Sequence, residues 1–113
     1  MTSEALKALA ERVEGATGPD INIDYALAAE FGRPWVLPRY TASIDAALGL
    51  VERVLPGAIW YRCHGDDFNV KSVEVWWRES ERHEWIIAEA LDKGSTPLAI
   101  LSALLRALLA KGE

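Results

Sequence analysis

The sequence predicts a single α+β domain in which a three-stranded antiparallel meander lies between helices, an α-β-α sandwich. Three observations predict it. Apolar residues recur at helical spacing through the first half and again near the C-terminal end. Between Ala58 and Ala90 the period falls to two. The connections inside that stretch are too short for a parallel crossover, so neighbouring strands must run antiparallel. At 113 residues without an internal repeat or linker, positions 1–113 form one unit.

Ser3–Glu14 is the first predicted helix, with Leu6, Leu9, Ala10 and Val13 on one stripe and Gly15 as its stop. Pro19-Asp20 opens a second helix that runs to about Phe31, with Ile21, Tyr25, Ala28 and Ala29 as its apolar side. Gly32, Pro34 and Pro38 make the next stretch a loop, which Trp35 and Val36 are expected to anchor. The third helix carries Ile44, Ala47, Leu48, Val51 and Leu55 at helical spacing, and Thr41 or Ser43 caps it. Pro56-Gly57 ends it.

Ala58–His64, Val70–Arg78 and Glu84–Ala90 are the predicted strands, joined by the turns at Gly65-Asp66-Asp67 and Glu79–His83. Hairpins symmetric about these turns place Ile59, Tyr61, Cys63, Val73, Val75, Trp77, Trp85 and Ile87 on one apolar face. Trp60, Arg62, His64, Ser72, Glu74, Trp76, Arg78, Ile86, Ala88 and Ala90 fall on the other. Thr96-Pro97 opens the last helix, which runs to about Ala110. Its apolar residues cover more than half its circumference, so it is either deeply buried or in contact with a partner. Four helices crowd one side of three strands, which favours helices on both faces.

The composition excludes several functions. Half the residues are apolar and 26% are charged, a globular balance that argues against disorder. The net charge is −5, with −3 before Gly57 and −2 after it, so an extended basic surface for nucleic acid is not expected. The longest apolar stretch, 97–110, is interrupted by Ser102 and Arg106 and falls short of the roughly 20 residues that cross a bilayer. The N-terminal run has no basic start followed by an apolar block, so the expected location is cytoplasmic.

Candidate sites are few. Cys63-His64-Gly65-Asp66-Asp67 contains metal-ligating residue types, but neighbours on a strand point to opposite faces. His64 and His83 lie at opposite ends of the second strand, about 26 Å apart at roughly 3.3 Å per residue. No metal site and no cofactor are expected. Cys63, the one cysteine, lies on the apolar face and is expected to be buried. Asp66, Asp67, Glu79, Glu81 and Glu84 belong to turns, where carboxylates are solvated, and no catalytic residue is assigned. A glycine-rich phosphate loop and the G-x-S-x-G, H-E-x-x-H and C-x-x-C motifs are absent from the sequence. Five tryptophans are many for this length, and tryptophan is enriched at binding hot spots. Trp60, Arg62, Glu74 and Trp76 are therefore the candidate protein-binding residues, while Trp77 and Trp85 are assigned to the core.

Three stretches, Leu9–Ala29, Arg39–Glu52 and Ser95–Ala107, carry a resemblance. Their motifs are Gly18-Pro19-Asp20, Tyr40-Thr41-Ala42-Ser43 and Thr96-Pro97, each at the start of a helix. In order and spacing the chain resembles the phage ABA sandwich domain family, small proteins of tailed phages and bacterial prophages. The resemblance implies helices on both faces of the sheet, a phage or prophage gene and the cytosol of a bacterial host. It implies no particular activity and no catalytic residues. The expected role is a non-enzymatic accessory module that binds another protein or itself. The alternatives are a small enzyme with its site in the turns at His64–Asp67 or Glu79–His83, and an acidic inhibitor of a host protein.

Overall fold

The computed structural model describes residues 3–32, 37–55, 57–65, 70–92 and 95–111. Its elements, in chain order, are α1 (Ser3–Gly15), α2 (Ile21–Phe31), α3 (Ile44–Val54), β1 (Ala58–Gly65), β2 (Val70–Arg78), β3 (Ile86–Leu91) and α4 (Thr96–Ala110). The α+β class and the antiparallel meander, in the order β1-β2-β3, are as the sequence predicts. Trp35, Val36, Asp66 and Asp67 lie outside the described residues.

The centre of the molecule is α4. Its Leu101, Leu104 and Leu105 have no exposed surface, and the small residues Ala99, Ser102, Ala103 and Ala107 are buried as well. A helix apolar around nearly its whole circumference has to be covered on two sides. One cover is the sheet, through β2 and β3; the other is formed by α1 and α3, with α2 packed on α1. Each fully buried leucine contributes roughly 1.5–3 kcal/mol relative to exposure.

The layers therefore stack as sheet, α4, outer helices. The helix layer expected on the second face of the sheet is not present among the described residues. Four helices fit on one side because they stack two deep, and the all-round apolar surface of α4 allows that. The second sheet face is left open.

The strand register places Ile59, Tyr61 and Cys63 opposite Trp77, Val75 and Val73 on the α4 side, as expected. On β3 the expected faces are exchanged. Ile86, Ala88 and Ala90 pair with Trp77, Val75 and Val73, while Ile87 and Glu89 pair with Trp76 and Glu74 on the open face. A one-residue slip in the second hairpin has this effect. It presents alanines to α4, so the helix packs close, and leaves Ile87 half exposed. Cys63 is exposed, contrary to expectation, because α4 packs over β2 and β3 and leaves the edge strand β1 largely uncovered.

In α1 the buried residues are those predicted. In α2 the buried side is Ile23, Asp24, Leu27 and Ala28, and Ile21, Tyr25 and Ala29 are exposed. The segment has apolar residues all round, and a buried polar tie at Asp24 fixes which side turns inward. Gly57 turns the chain from α3 into β1 with φ 112°, where a Cβ would lie 2.5 Å from the Arg78 carbonyl oxygen and 2.6 Å from that of Glu79.

Candidate functional site

The open face of the sheet holds two side-chain groups. The first is aromatic and cationic. Trp76 on β2 and Trp85, just before β3, meet edge to face with ring centroids 6.3 Å apart. The Arg78 guanidinium lies 4.4 Å from the centre of the Trp85 ring. With Tyr61 and Arg62 these residues line an open cleft of about 610 Å³, large enough for side chains of another molecule. The Arg78 Nε–H is buried and donates to no acceptor among the described residues. Trp85, assigned to the core from sequence, instead faces this cleft. The backbone of Trp60 pairs with that of Trp76, and the Trp60 side chain lies outside the described residues.

Tyr61 borders the cleft, but its side chain lies on the α4 side of β1, where burial, reinforced by the negative charge of Glu52, pushes its phenol up to about 12. It is a neutral hydroxyl throughout the physiological range.

The second group is polar. Arg62, Glu74 and Glu89 occupy one row across the three strands, and His64 reaches diagonally to Glu74 with Nε2 and Oε1 2.5 Å apart. The ladder slips by one residue immediately beyond His64. Nitrogen of His64 and carboxylate oxygens of Glu74 and Glu89 all lie within 4.8 Å of one another. The hydrogen bond from His64 holds the Glu74 carboxyl below the usual range, with the His64 charge, the Trp76 indole and Arg62 acting in the same direction against desolvation. The Trp76 nitrogen makes no hydrogen bond of ordinary geometry, yet it lies close enough to Glu74 to favour the anion.

Of the four candidate residues, Arg62, Glu74 and Trp76 thus share one open surface. Sequence reasoning missed Trp85 and Glu89 as their neighbours. The missing signal was the register of the second hairpin, which no alternation pattern specifies by itself.

A separate concavity lies at the other end of the helical layer. Thr17, Gly18, Pro19, Thr41, Ala42, Ser43, Thr96 and Pro97 line it, so all three helix-start motifs meet there. Their polar groups are turned on each other. The Asp20 carboxylate accepts hydrogen bonds from the Asn22 and Ile23 amides, and the Asp20 amide donates to Thr41 Oγ1 at 2.8 Å. Thr41 donates from both its amide and its hydroxyl to Asp24 Oδ1, each at 2.8 Å. Asp24 is fully buried, and Arg39 faces its other oxygen at 3.5 Å. Ser43 caps α3 and Ser95 caps α4, one residue earlier than the Thr96 expected.

In the second turn, Glu79 to Glu84 are all exposed. Ser80 Oγ and His83 Nδ1 are 2.8 Å apart, and His83 Nε2 lies 3.9 Å from Glu79. These groups sit in solvent and form no cleft among the described residues. Among the described residues no helix is long and apolar enough to cross a membrane. In comparisons with known proteins, no family model, no curated protein and no solved structure matches the chain.

Proposed function

We propose that this chain is a non-enzymatic accessory module that acts by binding another protein through the open face of its sheet. The observation that carries the reading is the cleft of Tyr61, Arg62, Trp76, Arg78 and Trp85 on a sheet whose helices all stack on the opposite side. Tryptophan and arginine are among the residue types most enriched where a few side chains supply most of the energy of a protein interface. Trp76 and Trp85 already brace one another, and Arg78 is stacked on Trp85, so little side-chain freedom is lost when a partner docks. The neighbouring row of Arg62, Glu74 and Glu89 supplies charges of both signs for orientation.

The resemblance of the three helix-start stretches supports a phage or prophage origin and action in the cytoplasm of a bacterial host. A role as an enzyme with its site in the turns is less well supported, because Glu79–His83 is spread into solvent. A role as an acidic inhibitor finds little support in a face whose cleft contains two arginines.

The test is affinity capture with the tagged full chain from nuclease-treated lysate of a lysogen or infected host, beside the Trp76→Ala variant. A stoichiometric protein recovered with the wild type and lost with the variant is the expected result. Equal capture by both chains would remove the open face from the interface. Recovery of the wild-type chain alone, as a monomer by light scattering, would sink the binding-module reading; a dimer abolished by Trp76→Ala would make the partner a second copy.

A further inference from the structure

We propose that His64, Glu74 and Glu89 form a binding site for a divalent transition-metal ion of the zinc class on the open face of the sheet. The three ligands come from three adjacent strands, and the pairing of β1 with β2 and of β2 with β3 sets their spacing. One imidazole nitrogen and two carboxylate oxygens within 4.8 Å of one another make a donor set suited to zinc, manganese, cobalt or nickel. Bonds of about 2.0–2.2 Å require ligand atoms about 3–4 Å apart. Binding then requires His64 and Glu74, now 2.5 Å apart, to open by about 1 Å and Glu89, within 4.8 Å of them, to move to that spacing.

Two features of the surroundings favour a cation here. Glu74 and Glu89 face each other directly across β2 and β3, a pairing of like charges that destabilises a sheet. Among the described residues no cationic side chain pairs with the Glu89 carboxylate, whereas a dication between the two carboxylates turns their repulsion into attraction. Three protein ligands leave the ion's remaining positions open to water or to a group from a partner. The sequence reading missed this set because it sought ligands inside the run Cys63–Asp67, where neighbours diverge. The set forms only across strands.

The experiment is calorimetric titration of zinc chloride into the chelator-treated full chain, beside calcium chloride. The expected result is one zinc ion per chain with micromolar affinity and no response to calcium, which needs six to eight oxygen ligands. His64→Ala and Glu89→Gln, both at exposed or half-exposed positions, should each weaken zinc binding at least tenfold with an unchanged circular dichroism spectrum. Cys63→Ser and His83→Ala should leave it intact, since Cys63 lies on the opposite face and His83 in the distant turn. Absence of binding at submillimolar zinc would overturn the proposal. So would zinc binding that survives His64→Ala and Glu89→Gln, or that disappears with Cys63→Ser or His83→Ala alone.

Discussion

At one end of the helical layer, the starts of α2, α3 and α4 turn their polar groups on one another. On the far side of the sheet, Trp76, Trp85, Arg78 and Arg62 line an open cleft. Both regions are concave and both mix polar with apolar groups, but the first is tied together by more hydrogen bonds between its own elements. The buried Asp24 receives two hydrogen bonds from Thr41 and faces Arg39, and Asp20, Ser43 and Ser95 each take up amides that the helix itself leaves unpaired. The sheet face keeps a buried Arg78 Nε without an acceptor and sets two glutamates against each other. The helix-start end is a clamp in which Asp24 Oδ2, buried and without a hydrogen bond among the described residues, faces the Arg39 charge at 3.5 Å. The three recognisable sequence motifs all belong to the clamp, and the aromatic and cationic cleft belongs to the sheet face.

If that distinction is right, the largest stability losses belong to the helix-start end. Asp24→Ala should be the most damaging, since it leaves the Thr41 amide without its acceptor in a fully buried place and the Thr41 hydroxyl with the Asp20 carbonyl alone, at 3.2 Å. A loss of about 3–4 kcal/mol is expected by urea denaturation. A loss under about 1 kcal/mol would mean that water replaces the carboxylate and that this end is an open site. Gly57→Ala follows, at about 2–3 kcal/mol, because its positive φ and the carbonyls of Arg78 and Glu79 leave no room for a methyl group. That change strains the junction between the two halves and should move helical and tryptophan signals together in one unfolding transition. Ser43→Ala and Ser95→Ala each remove a cap and should cost about 1 kcal/mol. Since the two caps share no hydrogen bond, their effects should add, which a double variant measures.

The sequence revealed the clamp and most of the fold because both rest on local chemistry. Caps, helix stops and strand alternation are specified by residues a few positions apart, and α1, α3, β2 and α4 emerge from them nearly to the residue. The layer order was not legible, because it depends on whether α4 can be covered twice over. Its small residues Ala99, Ser102 and Ala103 are buried with its leucines, so the contact surface of α4 extends to them. The face of β3 was misread by a single residue of register, and with it went Trp85, Ile87 and Glu89. Cys63 was misread because alternation says which side of a strand a residue takes, and cannot say whether a helix reaches that far along the sheet.

An effect confined to alkaline pH sharpens the contrast between the two sides of β1. The phenol of Tyr61 is raised to about 12, above its ordinary value of 10, by burial and by Glu52. Below pH 10 it is neutral in both folded and unfolded chains, and its contribution is fully present. Between about 10 and 12 the unfolded chain gives up the proton while the folded chain keeps it, so stability falls as pH rises. Tyr61→Phe should flatten that part of the melting-temperature profile. An unchanged slope would place the Tyr61 hydroxyl in solvent, on the same footing as Arg62.

The smallest effect on stability should come from the open face itself, and there the two regions part most clearly. Ile87 pairs with Trp76 and is 50% exposed, so Ile87→Ser removes little buried surface and should change the unfolding free energy by less than about 0.5 kcal/mol. If this face receives a protein, the same change takes an apolar contact from beside Trp76 and should reduce partner capture while the melting temperature stays put. Ser43→Ala should do the reverse, lowering the melting temperature and leaving capture intact at a temperature where the variant is folded. A fall in capture for both, in proportion to stability, would mean that binding follows folding alone. In that event the open face would be no more specialised than the helix-start clamp.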